Sequence, residues 1–249
     1  MDHTNRFTGK SEIYAKARPQ YAAGLFEYFQ NTLHIPSGST FADIGAGTGI
    51  FTRQLLNCGY RVFAVEPNRD MRSKAEETLL QNENFISVDG TASDTRLPDA
   101  SVDYITAAQA FHWFDAEAFK KECRRIIKPG GKVMLIYNAR KQDAAYTKAL
   151  AALRQKYNTE FHGFSNGLSN EACVAFFDGK CEIYRVDNTP KYDRQGFINR
   201  ALSSSYSLQE TDEKYSEYLN ALHAFFDSFS TDGFITVPTD TVAYIGEVL

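Results

Sequence analysis

Between residues 41 and 137, short apolar runs alternate with segments whose apolar residues recur every three or four positions, the pattern of strands alternating with helices. Phe41–Ile44 reads as a strand after the breaker run Pro36-Ser37-Gly38-Ser39, and Phe51, Leu55 and Leu56 return at helical spacing. Arg61–Val65 is a second strand, with a helix starting near Asn68, and strands over Phe85–Val88 and Tyr104–Ala107 follow. A helix over Asp115–Ile127 stops at the turn Lys128-Pro129-Gly130-Gly131, which starts a fifth strand, Lys132–Tyr137. Upstream, residues 7–35 read as two helical pieces broken at Pro19. The second, Pro19–Leu33, carries Ala22, Leu25, Phe26 and Phe29 along one side. From Ala139 the pattern changes. A helix near Ala144–Tyr157, a polar stretch over His162–Asn170 and a strand near Cys181–Val186 precede helices over Arg194–Leu202 and Asp212–Phe229 and a last strand, Phe234–Tyr244.

A chain of 249 residues with 43% hydrophobic content can bury a large core and fits one α/β domain with an elaboration. The net charge of −4 does not suit a chain built to neutralise phosphates. Its short basic clusters, Lys120-Lys121 and Arg124-Arg125, alternate with apolar residues and read as a solvated helix face, so nucleic acid is disfavoured as substrate. Cys58, Cys123, Cys173 and Cys181 form no C-x-x-C pair and have no His at metal spacing, which predicts buried free thiols in a reducing compartment and no metal. The polar N-terminus is not a signal peptide and no apolar run is long enough to span a bilayer, so a cytoplasmic protein without membrane association is expected.

The candidate chemistry centres on Asp43-Ile44-Gly45-Ala46-Gly47-Thr48-Gly49, between the first strand and its helix. Alternating glycines permit positive φ and leave the backbone open to a nucleotide-like ligand. A dinucleotide fingerprint reads G-x-G-x-x-G; here the third glycine comes one residue early. Glu66 ends the second strand about 20 residues beyond the first glycine, where a carboxylate can accept hydrogen bonds from both ribose hydroxyls.

The Asp-x-Gly-x-Gly-x-Gly pattern resembles the first motif of class I S-adenosylmethionine (SAM)-dependent methyltransferases. Further along, Leu97-Pro98-Asp99-Ala100-Ser101-Val102-Asp103 and Ala108-Gln109-Ala110-Phe111-His112-Trp113-Phe114 resemble the type 11 small-molecule group that includes trans-aconitate methyltransferase. The fold this implies is α/β: a doubly wound, Rossmann-like, seven-stranded and mostly parallel sheet with an antiparallel last strand. An N-terminal helical lid (residues 1–35), a SAM-binding core (36–138) and C-terminal strands with a helical cap (139–249) would form a single methyltransferase domain. The resemblance implies SAM as cofactor, held by Asp43, Gly45, Ala46, Gly47, Gly49, Glu66, Pro67, Met71 and Gln109. The turn Asp89-Gly90-Thr91-Ala92 would border the adenine, although Ser93 stands where many relatives carry Glu. Tyr14 and Arg18, in a Tyr-x-x-x-Arg-Pro-x-Tyr segment, would come from the lid.

His112 stands where the acceptor should arrive and is the candidate general base, with Trp113 and Tyr206 as candidates for substrate contact. Each has a plain alternative as a packing residue. The expected reaction is methyl transfer to O, N or C of a small molecule. A SAM-binding module without catalysis and an NAD(P)-dependent oxidoreductase stand as alternatives, and the sequence leaves the acceptor and the oligomeric state open.

Overall fold

The computed structural model describes residues 19–164, 170–204 and 207–248. The chain divides into two compact units: Met1–Asn138 with Gly167–Val186 and Thr241–Leu249, and Ala139–Asn166 with Asp187–Asp240.

In the first unit, α1 (Ala23–Asn31) precedes the repeating series β1 (Thr40–Ile44), α2 (Ile50–Asn57), β2 (Arg61–Val65), α3 (Arg69–Leu79) and β3 (Phe85–Val88). β4 (Val102–Ala108), a single 3-10 turn at Phe111–Trp113, α4 (Ala116–Ile126) and β5 (Ile127–Arg140) follow. After a short helix, α6 (Asn170–Phe176), come β6 (Glu182–Asp187) and the final strand β10 (Thr239–Gly246). They form a seven-stranded sheet in the order β3-β2-β1-β4-β5-β10-β6, mostly parallel with an antiparallel strand. β1 pairs in parallel with β2 on one side and β4 on the other, so the strand order reverses beside it. That reversal opens a crevice beyond the carboxyl ends of β1 and β4. β1 reads as an unbroken apolar run because both its faces are covered: Phe41, Ala42 and Ile44 are fully buried. Leu25 and Phe29 of α1 join Phe41, Phe51, Leu55, Met134 and Ile136 in one core.

Three sequence expectations change here. Residues 19–22 are not helical, and α1 starts at Ala23 instead of Pro19. The amides of Tyr21 and Ala22 donate to the side chains of Gln54 and Thr241, which holds that stretch extended. β5 starts at Ile127, before Pro129-Gly130-Gly131, so those residues lie in a bulge within the strand and not in a turn ahead of it. Opposite Asp103, a Cβ on Gly131 would meet the Asp103 carbonyl at 2.5 Å, and Lys128 Nζ donates to the Asp103 carboxylate at 2.8 Å. The basic clusters of α4 are only partly solvated. Lys120 is buried and paired with Asp178 at 2.7 Å, and Arg125 pairs with Asp99 and with Glu122, which it holds down to a pKa of about 2 together with Thr95, against the cost of burial.

In the second unit, α5 (Ala145–Tyr157), β7 (Lys191–Tyr192), α7 (Arg194–Leu202), α8 (Tyr215–Phe229), β8 (Ser230–Thr231) and β9 (Phe234–Thr236) complete the chain. The expected last strand is therefore two. β9 joins a small sheet of its own, β7-β9-β8, and the chain passes Val237 and Pro238 before β10 begins. Proline has no amide to continue a ladder. Tyr218, Leu222, Phe225 and Phe226 recur along the buried side of α8 and pack with Phe197 and Ile235, so the segment read as a helical cap carries its own core and sheet.

Among the described residues no helix is long and apolar enough to cross a membrane. The cysteines are free; Cys123 and Cys173 are buried, whereas Cys58 and Cys181 are only half-buried, against the expectation of four buried thiols.

Candidate functional site

The site begins where β1 ends. Asp43 is 1% exposed, and both carboxylate oxygens are used internally: Thr52 Oγ1 donates to Oδ2 at 2.6 Å and Thr106 Oγ1 to Oδ1 at 2.9 Å. Burial pushes its pKa up to about 6 despite both hydroxyls, with the charge of Glu66 adding to the rise. Asp43 thus ties the end of β1 to α2 and β4. The resemblance had assigned it to the ligand, yet here its hydrogen bonds go to protein hydroxyls.

The loop that follows is fixed by its backbone. The amides of Gly45 and Ala46 both donate to the Val65 carbonyl, at 2.8 and 3.1 Å. Gly45, Gly47 and Gly49 all take positive φ. A Cβ on Gly45 would lie 2.7 Å from Ala110 Cβ, and one on Gly49 2.7 Å from Leu79, whereas one on Gly47 would meet nothing within 4 Å. Two glycines therefore let the loop press against its neighbours, and the middle one keeps a face open.

Glu66, at the end of β2, closes this corner. Its Oε2 accepts from the Gly47 amide and its Oε1 from the Asn68 amide, both at 2.9 Å. Burial raises its pKa, opposed by those two amides and by Arg72. Each oxygen keeps a further lone pair for a second donor. Arg72, one turn into α3, donates to the carbonyls of Glu66 and Pro67 and to Asp89, so it pins the ends of β2 and β3 together. Asn68 caps α3 by accepting from the Met71 amide, and the Met71 side chain is buried.

Past β3, Gly90 is buried and Asp89 is exposed, while Thr91 Oγ1 accepts from the Asp94 amide and shapes the turn around the half-buried Ala92. At the end of β4, Gln109 takes a left-handed φ of 54°, which a non-glycine residue adopts at a cost. Its amide donates to Ile136 and its Nε2 to the Asn138 carbonyl. The chain then turns through Phe111, His112 and Trp113. Phe111 is buried against Phe114, Phe119 and Phe176, which anchors the turn. The half-buried His112 ring lies 4.6 Å from that of Trp113 and 6.1 Å from that of Tyr137.

The structure thus brings Gly45, Ala46, Gly47, Gly49, Glu66 and Pro67 into one corner. Through the Gly45–Ala110 approach, the segment carrying Gln109, His112 and Trp113 adjoins that corner. Tyr14, Arg18 and Tyr206 lie outside the described residues. Sequence reasoning missed Thr52, Thr106 and Arg72. Arg72 sits a turn into the helix after Glu66, a usable signal, but the two threonines meet Asp43 only through the fold.

The corner suits a nucleoside bearing a polar tail. Gly47 leaves room above the backbone, Glu66 offers acceptors for a diol, and Thr48 Oγ1 is buried within the loop with no hydrogen-bond partner. A family described as a methyltransferase domain matches residues 42–135. A methyltransferase of uncharacterised specificity from Geobacillus sp. strain WCH70 is 31% identical over 179 residues, spanning 66% of this chain and 81% of that protein. The chain belongs to the class I SAM-dependent methyltransferases. SAM is the cofactor of this family. An uncharacterised methyltransferase-like protein of Schizosaccharomyces pombe is also 31% identical, over 164 residues covering 63% of this chain and 61% of the yeast protein. Another, from Mycobacterium bovis, is 31% identical over 141 residues, 56% of this chain and 55% of that protein. The chain thus spans less than two thirds of these two relatives. In fold, it resembles a structure described as a type II methyltransferase from Anaeromyxobacter dehalogenans, with a TM-score of 0.71 at 22% identity over 93% of this chain and 98% of that one.

Proposed function

We propose that this protein transfers the methyl group of SAM to an oxygen, nitrogen or carbon atom of a small-molecule acceptor. The observation that carries this reading is the corner in which Glu66 holds the Gly47 amide beneath an open face, with the Gln109–Trp113 segment pressed against the same loop at Gly45. When bound, SAM supplies an already activated methyl group on a sulfonium. The chain's task is to hold, align and dehydrate, and positioning carries much of the acceleration. Glu66 accepts the two ribose hydroxyls on its remaining lone pairs, while Asp43 keeps the ends of β1, β4 and α2 in register through Thr52 and Thr106. Asp89-Gly90-Thr91-Ala92 borders the adenine, Met71 packs beside the adenosine, and Gln109 closes the donor pocket from β4. His112 takes the proton of a hydroxyl or activated carbon; a carboxylate acceptor needs no base. Trp113 contacts the acceptor.

Calorimetry with SAM, S-adenosylhomocysteine and NADH, followed by incubation with metabolite extract and methyl-labelled SAM, tests this. One-to-one binding of both SAM and its demethylated product, with label appearing in a small molecule, is the expected result. Heat from NADH and none from SAM overturns the reading. Heat from SAM with no label transferred to any extract leaves binding without catalysis.

A further inference from the structure

The second unit gathers positive charge in its interior. Arg140 at the end of β5, Arg154 on α5 and Arg200 on α7 stand far apart in sequence. The guanidinium carbon of Arg140 lies 4.4 Å from the centroid of the Phe164 ring, and that of Arg154 lies 5.3 Å from the same centroid and 5.9 Å from that of Phe161. Arg200 stands over Tyr192 at 5.3 Å. The Tyr146 hydroxyl accepts from Arg140 and sits in the field of Arg154 and Arg200 as well.

The cations oppose one another. Burial first, and then the neighbouring guanidinium, lower the pKa of Arg140 and of Arg154, while tyrosine hydroxyls among the described residues favour their charge. Arg154 is 6% exposed and bonds only neutral partners, Ser204 Oγ at 2.6 Å and the Ala201 carbonyl at 3.4 Å. Its Nε is buried without an acceptor, as is the hydroxyl of Tyr218. A buried charge is normally paired, and convergent like charges compound the cost of burial. Planar guanidinium forks match the oxygens of a carboxylate or a phosphate, and the aromatic faces of Phe161, Phe164 and Tyr192 hold them in orientation.

We propose that Arg140, Arg154, Arg200 and Tyr146 form an anion-binding site, within the second unit, that takes a ligand's carboxylate or phosphate group.

Thermal unfolding of the whole chain, titrated with citrate or with inorganic phosphate against sodium chloride at matched ionic strength, tests the site. A saturable rise in Tm with citrate or phosphate and none with chloride is expected. Whichever anion saturates at the lower concentration identifies the preferred group. Arg140→Gln should raise the half-saturating concentration by roughly tenfold or more, because a forked charge-assisted pair is lost. Arg154→Lys, which keeps charge but not the fork, should weaken the response by a smaller factor, and Arg140→Gln carries the test alone if that variant does not fold. No saturable response in the wild type, or an undiminished one in Arg140→Gln, overturns the site. SAM calorimetry on the same samples separates the two readings. SAM binding without an anion response overturns this inference alone, whereas an anion response without SAM binding overturns the proposed methyl transfer and supports the anion site.

Discussion

The end of β2 and the segment after β4 border one glycine loop by opposite means. At β2, a carboxylate and backbone amides meet: Glu66 receives the Gly47 and Asn68 amides, and Arg72 locks the surrounding carbonyls. After β4, a left-handed Gln109 leads into Phe111, which packs against Phe176 of α6, and into His112, whose ring lies against those of Trp113 and of Tyr137 in β5. In the proposed reading, the first arrangement would address the hydroxyls that every SAM molecule presents. The second offers side chains whose shape and titration can follow the acceptor. Donor affinity and turnover should therefore separate under mutation.

The largest expected effect is at His112. If it serves as base, His112→Gln should depress turnover by roughly two to four orders of magnitude and leave SAM affinity nearly unchanged in calorimetry. Wild-type turnover should then fall on acidification, since only the neutral ring accepts a proton. Parallel losses of turnover and SAM affinity would break the comparison, because the β4 segment would then belong to the donor site.

Asp43 sharpens it from beneath. The folded protein holds the proton on this carboxyl up to about pH 6, against an ordinary value of 3.8. The stability it contributes is thus fullest below the unfolded value and is lost as pH rises to about 6. At roughly 1.36 kcal/mol per unit, the loss is about 3 kcal/mol. Asp43→Asn should remove that slope from urea unfolding measured between pH 4 and 7. Glu122, held near 2 by Arg125 and Thr95, acts in the opposite sense and at lower pH, whereas Glu66, also raised by burial, acts in the same sense, so Asp43→Asn removes the Asp43 share of the slope. Identical slopes in wild type and variant would refute a buried, proton-holding Asp43.

What the sequence made legible follows the same division. The loop glycines, the ends of β1, β2 and β3 and the helix start near Asn68 were readable because backbone geometry demands particular residues at fixed spacing. The partners of Asp43 were not, since any nearby hydroxyl can serve and Thr106 is reached only across the β1–β4 pairing. The arginines of the second unit escaped notice for that reason too: each alone reads as an ordinary helix or strand-end charge. The start of α1 was misread because proline is favoured at a helix start, whereas here Gln54 and Thr241 accept from the Tyr21 and Ala22 amides ahead of the helix. Pro238 was a visible breaker within an apolar run that otherwise reads as one strand.

Glu66→Ala should weaken SAM by roughly 1.5 to 3 kcal/mol through lost charge-assisted hydrogen bonds, with the variant still folded by circular dichroism. Because Glu66 also holds the Gly47 amide, Glu66→Gln is the finer probe. Its amide keeps one acceptor oxygen, so it should retain the loop and recover part of the affinity. Equal loss in both variants would mean that the charge itself matters more than the geometry. Unfolding of the Ala variant would make Glu66 a structural residue and remove it from ribose recognition.

The smallest effect is the most discriminating. Gly47 and Gly130 both take positive φ, 58° and 78°, and a Cβ on either would meet nothing within 4 Å. Each Gly→Ala change should therefore cost about 1 kcal/mol of stability, from the left-handed backbone alone. Gly130 lies in the β5 bulge, away from the loop, whereas Gly47 lies under the face where the donor is proposed to approach. The two variants should unfold at similar urea concentrations, yet only Gly47→Ala should lose SAM affinity, because its methyl group would occupy space the ligand needs. A matched loss of stability with unchanged SAM affinity in both would show that the open face above Gly47 is not where the donor lies. The donor corner would then have to be sought on the Glu66 side of the loop alone.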